Sequence, residues 1–345
     1  MNTDNLKRGF DFDKIEPSSV KITKPLIKKE NGAGSQKGVL TKENIIEIIF
    51  QKMQQKGGFP SFSKQISDIN KILKLKYASA KDIANVIIKD FSLSNKILKL
   101  VNSSFYGQFS KDGISSVEKA MIILGADQIQ QAAASLMLFE HMQTSSNSQE
   151  LKTTAVRTFM SGMLAKEIAG EKAYKDTEEF LICAMFYKLG ENLIAYYFSE
   201  KRDIILKMSG SKAVSENQAS RSVLGITYQE LGIGVATKWG LPENIVMSMH
   251  VKKPATRTAE AFSGSRIELL GLLAALSNDL CDIQFSSTIK DKKAEINKVV
   301  MIYNNRLGIN NDMMNDILSK VAKKIKTHSA QLNINMESFD MLSGL

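Results

Sequence analysis

Three histidines, His141, His250 and His328, are all that this 345-residue chain offers for borderline-metal or imidazole chemistry. Hydrolytic metal centres take several His and carboxylate ligands from facing helices. None of the three histidines is followed by Asp, and they are far apart along the chain. They cannot build such a centre by themselves. His141 stands beside Met142 at the end of an apolar helical pattern, where a helix C-terminal dipole would suit it. His328 falls in a lysine-rich segment. The aspartates and glutamates form no compact group that would hold Mg²⁺. Cys183 and Cys281 sit in apolar runs with no CxxC neighbour, which reads as two buried reduced thiols in a reducing compartment. There is no GxxxxGK[ST] loop, no GxGxxG after a strand and no GxSxG elbow. Gly232-Ile233-Gly234 lies inside a helical pattern and reads as close helix packing. No cofactor is expected.

The formal net charge is +10. Such a balance attracts nucleic acid or anionic membrane non-specifically. A nucleic-acid reader, however, needs its basic residues clustered on one face or interleaved with aromatics. Here the lysines are dispersed. The nearest approaches to a stripe are Lys64, Lys71, Lys74 and Lys76, and then Lys320, Lys323, Lys324 and Lys326. The longest clean apolar run, Leu269 to Leu276, is interrupted only by Gly271 and is far short of the roughly 20 residues of a membrane span. The first residues, MNTDNLKRGF, contain no apolar stretch of the secretory kind. The expectation is a cytoplasmic protein with no membrane span.

The elements that would position these residues are helices throughout. Residues 1–40 read as a flexible tail, with Pro17, Pro25 and a polar run at 30–35 that cannot offset the entropy of ordering. From Thr41, a plausible N-cap, Ile45, Ile46, Ile49 and Met53 recur at helical spacing, and Gly57-Gly58 stops the helix. Ser79 before Asp82, and Ser115 before Glu118, mark two further helix starts, the second as a capping box. Gly125 closes the helix that Ser115 opens. The polar stretch 144–149 links two helical halves. In the second half the periodicity predicts helices near 150–169, 177–190, 191–208, 216–224, 227–239 and 242–250, with Gly190 and Trp239-Gly240-Leu241-Pro242 as breaks. A long apolar helix covers Leu269–Leu276. The stretch 281–289 is weaker, with a β-like flavour at most. Helices resume at 290–307 and 310–328. No alternating strands, repeats or βαβ rhythm occur, so the fold class is all-α.

Several of these segments resemble one family. Phe59-Pro60 opens the region. Asp82-Ile83-Ala84 and Asp90-Phe91-Ser92-Leu93-Ser94 follow, then Asn102-Ser103-Ser104-Phe105-Tyr106-Gly107, and then Ser116 through Ala120 to Leu124-Gly125. This stretch resembles the first half of an HDOD domain, a degenerate relative of the HD phosphohydrolases, and the likeness runs from about 50 to 255. It implies a multi-helical architecture: an N-terminal helical half (41–143) packed on an HD-like half (150–255), with 256–345 as a helical extension.

The resemblance also implies where a metal would have been. An active HD site takes a His from one helix, a His-Asp pair from the next, and an Asp from a later helix. Ala184-Met185-Phe186-Tyr187-Lys188-Leu189-Gly190 stands over the family's Gly-Leu-Leu-His-Asp-Ile-Gly, so Tyr187 replaces the His and Lys188 the Asp. Arg157 stands where the first His is expected. Tyr228 and His250 occupy positions of later family histidines. A charged lysine or arginine cannot ligate a cation and would repel it. The expectation is therefore no metal and no hydrolysis. Arg157 and Lys188 then either pair with acids such as Glu191, reach solvent, or bind an anion together. Tyr187 is expected in the core with a wet hydroxyl, and His250 as a buried, hydrogen-bonded residue. The Asn102–Gly107 stretch reads as a turn that packs the halves together, or as a partner-binding loop.

What the resemblance implies about function is a bacterial signal-transduction module that is not an enzyme and acts by protein–protein interaction. Two alternatives stand beside it. One is a nucleic-acid-binding regulator using the basic surface. The other is a protein that responds to a cyclic dinucleotide without turning it over.

Overall fold

A computed structural model describes residues 42–55, 84, 87, 98, 116–125, 129, 149–212, 214–239, 241–254 and 264–328. The tail 1–40, Thr41, most of the 59–125 motif block, the Asn102–Gly107 stretch, the Lys64–Lys76 stripe and His141 lie outside the described residues. Residues Leu40–Leu345 form one compact unit. Among the described residues there are only helices and their connections, as an all-α fold requires.

Helix α1 spans Lys42–Gln55 and α2 spans Val117–Leu124. Helices α3 (Gln149–Glu171), α4 (Thr177–Tyr187), α5 (Leu189–Tyr197) and α6 (Ser199–Lys212) follow. Next come α7 (Glu216–Leu224), α8 (Tyr228–Lys238) and α9 (Glu243–Ser248). The chain continues through α10 (Arg266–Phe285), α11 (Lys292–Leu307) and α12 (Asn311–His328).

Local chemistry sets most boundaries. Ser116 caps α2, accepting from the Lys119 amide at 3.1 Å, so the cap lies one residue beyond Ser115. Gly125 ends that helix at φ 85°, a conformation costly for a residue with a Cβ. Ser215 with Gln218, and Thr227 with Glu230, form reciprocal capping boxes on α7 and α8. Two expected boundaries move. The break expected at Gly190 falls at Lys188, leaving Gly190 inside α5, and a second break at Phe198 separates α5 from α6. The 281–285 stretch is the last turn of α10 rather than a weak strand, because Leu280, Cys281 and Ile283 continue its buried face.

Helix α10 is the axis of the core. Leu269 to Leu276 is buried on every side, as suits a helix apolar all round. It packs on α3, α4, α9 and α11. The C-terminal helices thus share one hydrophobic cluster with α3–α9: Leu270 and Leu273 of α10 join Met163, Phe180 and Phe186, while Leu318 and Val321 of α12 join the same cluster. Helix α1 contributes Ile45, Ile49 and Phe50 to it and packs on α8, so this helix of the expected N-terminal half is built onto the second half. Lys42 pairs with Glu230, and Lys238 with Glu47, across that contact.

Helices α5 and α8 cross with backbone against backbone. A Cβ on Gly190 would stand 1.9 Å from the Tyr228 carbonyl oxygen and 2.8 Å from the Gly232 nitrogen. Backbone meets backbone there, which only glycine permits. The GxG at 232–234 is accordingly a packing device, with Gly234 against the Ile46 side chain.

Candidate functional site

The helices bring four charged side chains to one point. Helix α3 supplies Arg157. The α4–α5 break places Lys188 at the head of α5, and Glu191 follows one turn later. The last turn of α10 supplies Asp282. Arg157 Nη2 donates to Glu191 Oε1 at 3.0 Å, and Nη1 to Asp282 Oδ1 at 3.3 Å. Lys188 Nζ lies 2.5 Å from Asp282 Oδ2 and 3.3 Å from Glu191 Oε2. Each cation touches both carboxylates, so the square is closed and neutral.

The electrostatics follow from that geometry. Burial acts to raise the Glu191 pKa, but Lys188 and Arg157 outweigh it and hold the carboxyl at about 2. Burial likewise acts to lower the Arg157 pKa, and Glu191 and Asp282 reverse it upward. Asp282 is the outermost member, its side chain 36% exposed against 13% for Glu191. Of the outcomes open to Arg157 and Lys188, pairing with Glu191 is the one observed. Asp282 is a partner that sequence reasoning missed. The family pattern asks for an acid from a later helix, but nothing in spacing alone selects Asp282 over Asp279.

A divalent cation does not fit here. The two carboxylates that would have to ligate it are each already held by both Arg157 and Lys188, whose positive charge opposes a metal ion. Among the described residues no three His, Cys, Asp or Glu side chains are grouped for a metal.

Beside the square lies a cavity of about 470 Å³. Lys188, Glu191 and Asp282 form part of its wall, and Tyr187 and Tyr228 also line it. Arg157 stands behind. Tyr187 is half-buried, and its hydroxyl donates to the Val251 carbonyl at 3.4 Å. Tyr228 is 7% exposed, and its hydroxyl is buried with no hydrogen-bond partner among the described residues. Burial first, then the nearby Glu191 and Glu216, push the Tyr228 pKa upward; burial first, then Glu191 and Asp282, push that of Glu216 upward. His250 corrects an expectation. It is exposed in the turn after α9 and does not line the cavity. Its neighbour Met249, 1% exposed, takes the inward direction and would touch a Cβ at Gly232.

Four of the five residues singled out as a vestigial site thus stand together, and His250 stands apart. Both cysteines are free and buried. Of the C-terminal lysine stripe, Lys320 and Lys324 are tied to Glu167 of α3. No described helix is long and apolar enough to cross a membrane.

This arrangement can be set beside known proteins. The HDOD domain model matches residues 59–254, more than half of the chain. An uncharacterized protein of Treponema pallidum (strain Nichols) is 19% identical over 197 residues, which is 54% of this chain and 36% of that protein, so the match spans about a third of the curated relative. An HDOD domain protein of unknown function from Geobacter sulfurreducens superposes with a TM-score of 0.54 at 17% identity, covering 88% of this chain and 99% of that one. A phosphohydrolase-like protein from Shewanella amazonensis SB2B gives 0.53 at 17% identity, covering 85% and 97%. At such identities these two share the fold alone. With the matched segment holding Arg157, Tyr187, Lys188, Glu191 and Tyr228, the chain belongs to the HDOD family.

Proposed function

We propose that this protein is a regulatory module of signal transduction that performs no catalysis and works by binding other proteins through its helical faces. The observation that carries this is the Arg157–Glu191–Lys188–Asp282 square. The family resemblance puts Arg157 and Lys188 where a working HD enzyme would gather metal ligands, and both are paired there with the two carboxylates of a neutral square. Lys188 and Arg157 repel a metal, and neither Tyr187 nor Tyr228 supplies an imidazole. Membership of the HDOD family supports the signalling role. The alternative of a nucleic-acid reader loses half of its C-terminal stripe, since Lys320 and Lys324 are engaged by Glu167. The cyclic-dinucleotide alternative would use the same cavity for binding without turnover.

The test is direct. Purified protein is incubated with Mn²⁺, Mg²⁺ or Fe²⁺ and either bis-p-nitrophenyl phosphate or a cyclic dinucleotide, beside a tagged pull-down from the native lysate with and without nuclease. The expected result is no turnover and a small stoichiometric set of proteins unaffected by nuclease. Metal-dependent turnover that disappears in Lys188→Ala overturns the non-catalytic reading. Recovery that collapses with nuclease overturns protein binding in favour of nucleic acid.

A further inference from the structure

Two cations from different helices hold both oxygens of one carboxylate. Lys188 Nζ lies 2.5 Å from Asp282 Oδ2, and Arg157 Nη1 donates to Asp282 Oδ1 at 3.3 Å. Paired donors across an oxygen pair are how proteins seat a carboxylate or a phosphoryl group. Glu191 binds the same two cations and is the more buried acid, its side chain 13% exposed. Asp282 is the odd member. At 36% it is the most exposed of the four side chains. It also stands in the last turn of α10, where the helix dipole disfavours a negative charge and no basic residue of that turn offsets it. Nothing in α10 itself favours an acid there; the two cations across the interface do.

The seat opens on the cavity. Lys188 and Asp282 stand in its wall together with Tyr187, Met249 and Val251. A small molecule in that space of about 470 Å³ can therefore offer an oxyanion to Lys188 and lay an organic part on apolar wall. Exchanging Asp282 for an external oxyanion of the same charge keeps the square neutral. No buried cation is left uncompensated, which is the costly outcome when a buried pair loses one member. Asp282, already on the rim, passes into water.

We propose that Arg157 and Lys188 form an oxyanion seat which Asp282 occupies from within the chain, and that the cavity admits a small organic carboxylate or phosphate in its place. The ligand's oxygens take Lys188 and Arg157, and its organic part lies along Tyr187, Met249 and Val251. Asp282 is then a built-in competitor. Tethered beside the seat, it acts at an effective concentration that a free ligand has to exceed. Its departure removes the tie between the last turn of α10 and helices α3 and α5, so occupancy of the cavity is read out at the end of the core helix. The inference goes beyond the scaffold reading and depends on no partner protein and no turnover.

The experiment is calorimetric titration of the purified full chain and of its Asp282→Asn variant with sodium benzoate and with phenyl phosphate, which separate a carboxylate source from a phosphoryl one. Sodium chloride at equal ionic strength controls for screening. The expected result is saturable binding of benzoate or phenyl phosphate to Asp282→Asn, tighter than to the wild type by roughly tenfold or more. Adding Lys188→Met, which leaves Arg157 paired with Glu191, should abolish that gain. In the wild type, a saturating concentration of the better ligand should speed hydrogen exchange of the amides of residues 283–286 and leave the middle of α10 unchanged. Equal affinity of wild type and Asp282→Asn overturns the proposal. So does a gain that survives Lys188→Met, or chloride binding as tight as that of the organic oxyanions. Should Asp282→Asn fail to melt cooperatively, the wild-type exchange decides, and unchanged exchange at 283–286 overturns the proposal. Failure here leaves the turnover and pull-down results untouched, so the two readings fall separately.

Discussion

Replacing Glu191 by Gln tests whether the charge square holds the fold together. The wild-type carboxyl, held at about 2, sits well below the ordinary value near 4.5. Each pH unit of such displacement is worth about 1.4 kcal/mol, so at neutral pH the ionised Glu191 contributes about 3 kcal/mol. Geometry leads to the same scale. The substitution leaves Arg157 and Lys188, both largely buried, sharing only Asp282, and breaking a buried pair costs roughly 3–5 kcal/mol. Domains of this kind have about 5–15 kcal/mol in total, so the loss is large. The pH dependence has a definite sign. A depressed folded-state pKa stabilises above the unfolded value and is lost as pH falls from about 4.5 toward about 2. Between pH 7 and pH 3 the wild type should therefore lose about 2 kcal/mol through Glu191 alone, and Glu191→Gln should lack that component. Urea unfolding at pH 7 and pH 3, followed by circular dichroism, measures both. The reasoning is refuted if Glu191→Gln is within roughly 0.5 kcal/mol of the wild type at pH 7, the scale of an ordinary surface change. It is refuted equally if both proteins lose the same stability on acidification.

Two further expectations come from packing. Gly190→Ala places a methyl group 1.9 Å from the Tyr228 carbonyl oxygen, so α5 and α8 must separate. The expected loss is about 1–3 kcal/mol or more in urea unfolding, whereas Gly170→Ala, exposed with nothing within 4 Å, should gain up to about 1 kcal/mol. Equal behaviour of the two alanine variants would refute the close crossing. Burial pushes the Cys183 thiol up to about 12 and raises Cys281 as well. Ellman's reagent should titrate neither thiol in the native protein at pH 8 and both after denaturation. Rapid native labelling would show that the core is open.

Much of this architecture was legible in the chain. Periodicity and caps placed α3, α7, α8, α11 and α12 within a residue or two, because each is marked by a local signal that needs no tertiary partner. The errors have local causes too. Gly190 looked like a helix stop because glycine usually is one, but it serves a backbone crossing with Gly232. The 281–285 turn looked weak because its polar Asp282 and Gln284 interrupt the apolar pattern, yet Cys281 and Ile283 still face the core. His250 looked buried by analogy with a family position. Its orientation depends on which residue of the short α9 turn meets Gly232, and Met249 takes that place.

The sequence by itself determined the helical class and the family likeness, and that likeness implies that Tyr187, Lys188 and Arg157 stand where metal ligands would be. These are properties of residue type and spacing along one chain. Only the tertiary structure decided what those residues do instead. Asp282 lies 94 residues from Lys188, and no periodicity links them. They meet because α10 is apolar on every side and must be buried among α3 and α4. The same burial, together with the Gly190–Gly232 crossing, sets Tyr228 beside the square with its hydroxyl buried and without a hydrogen-bond partner among the described residues.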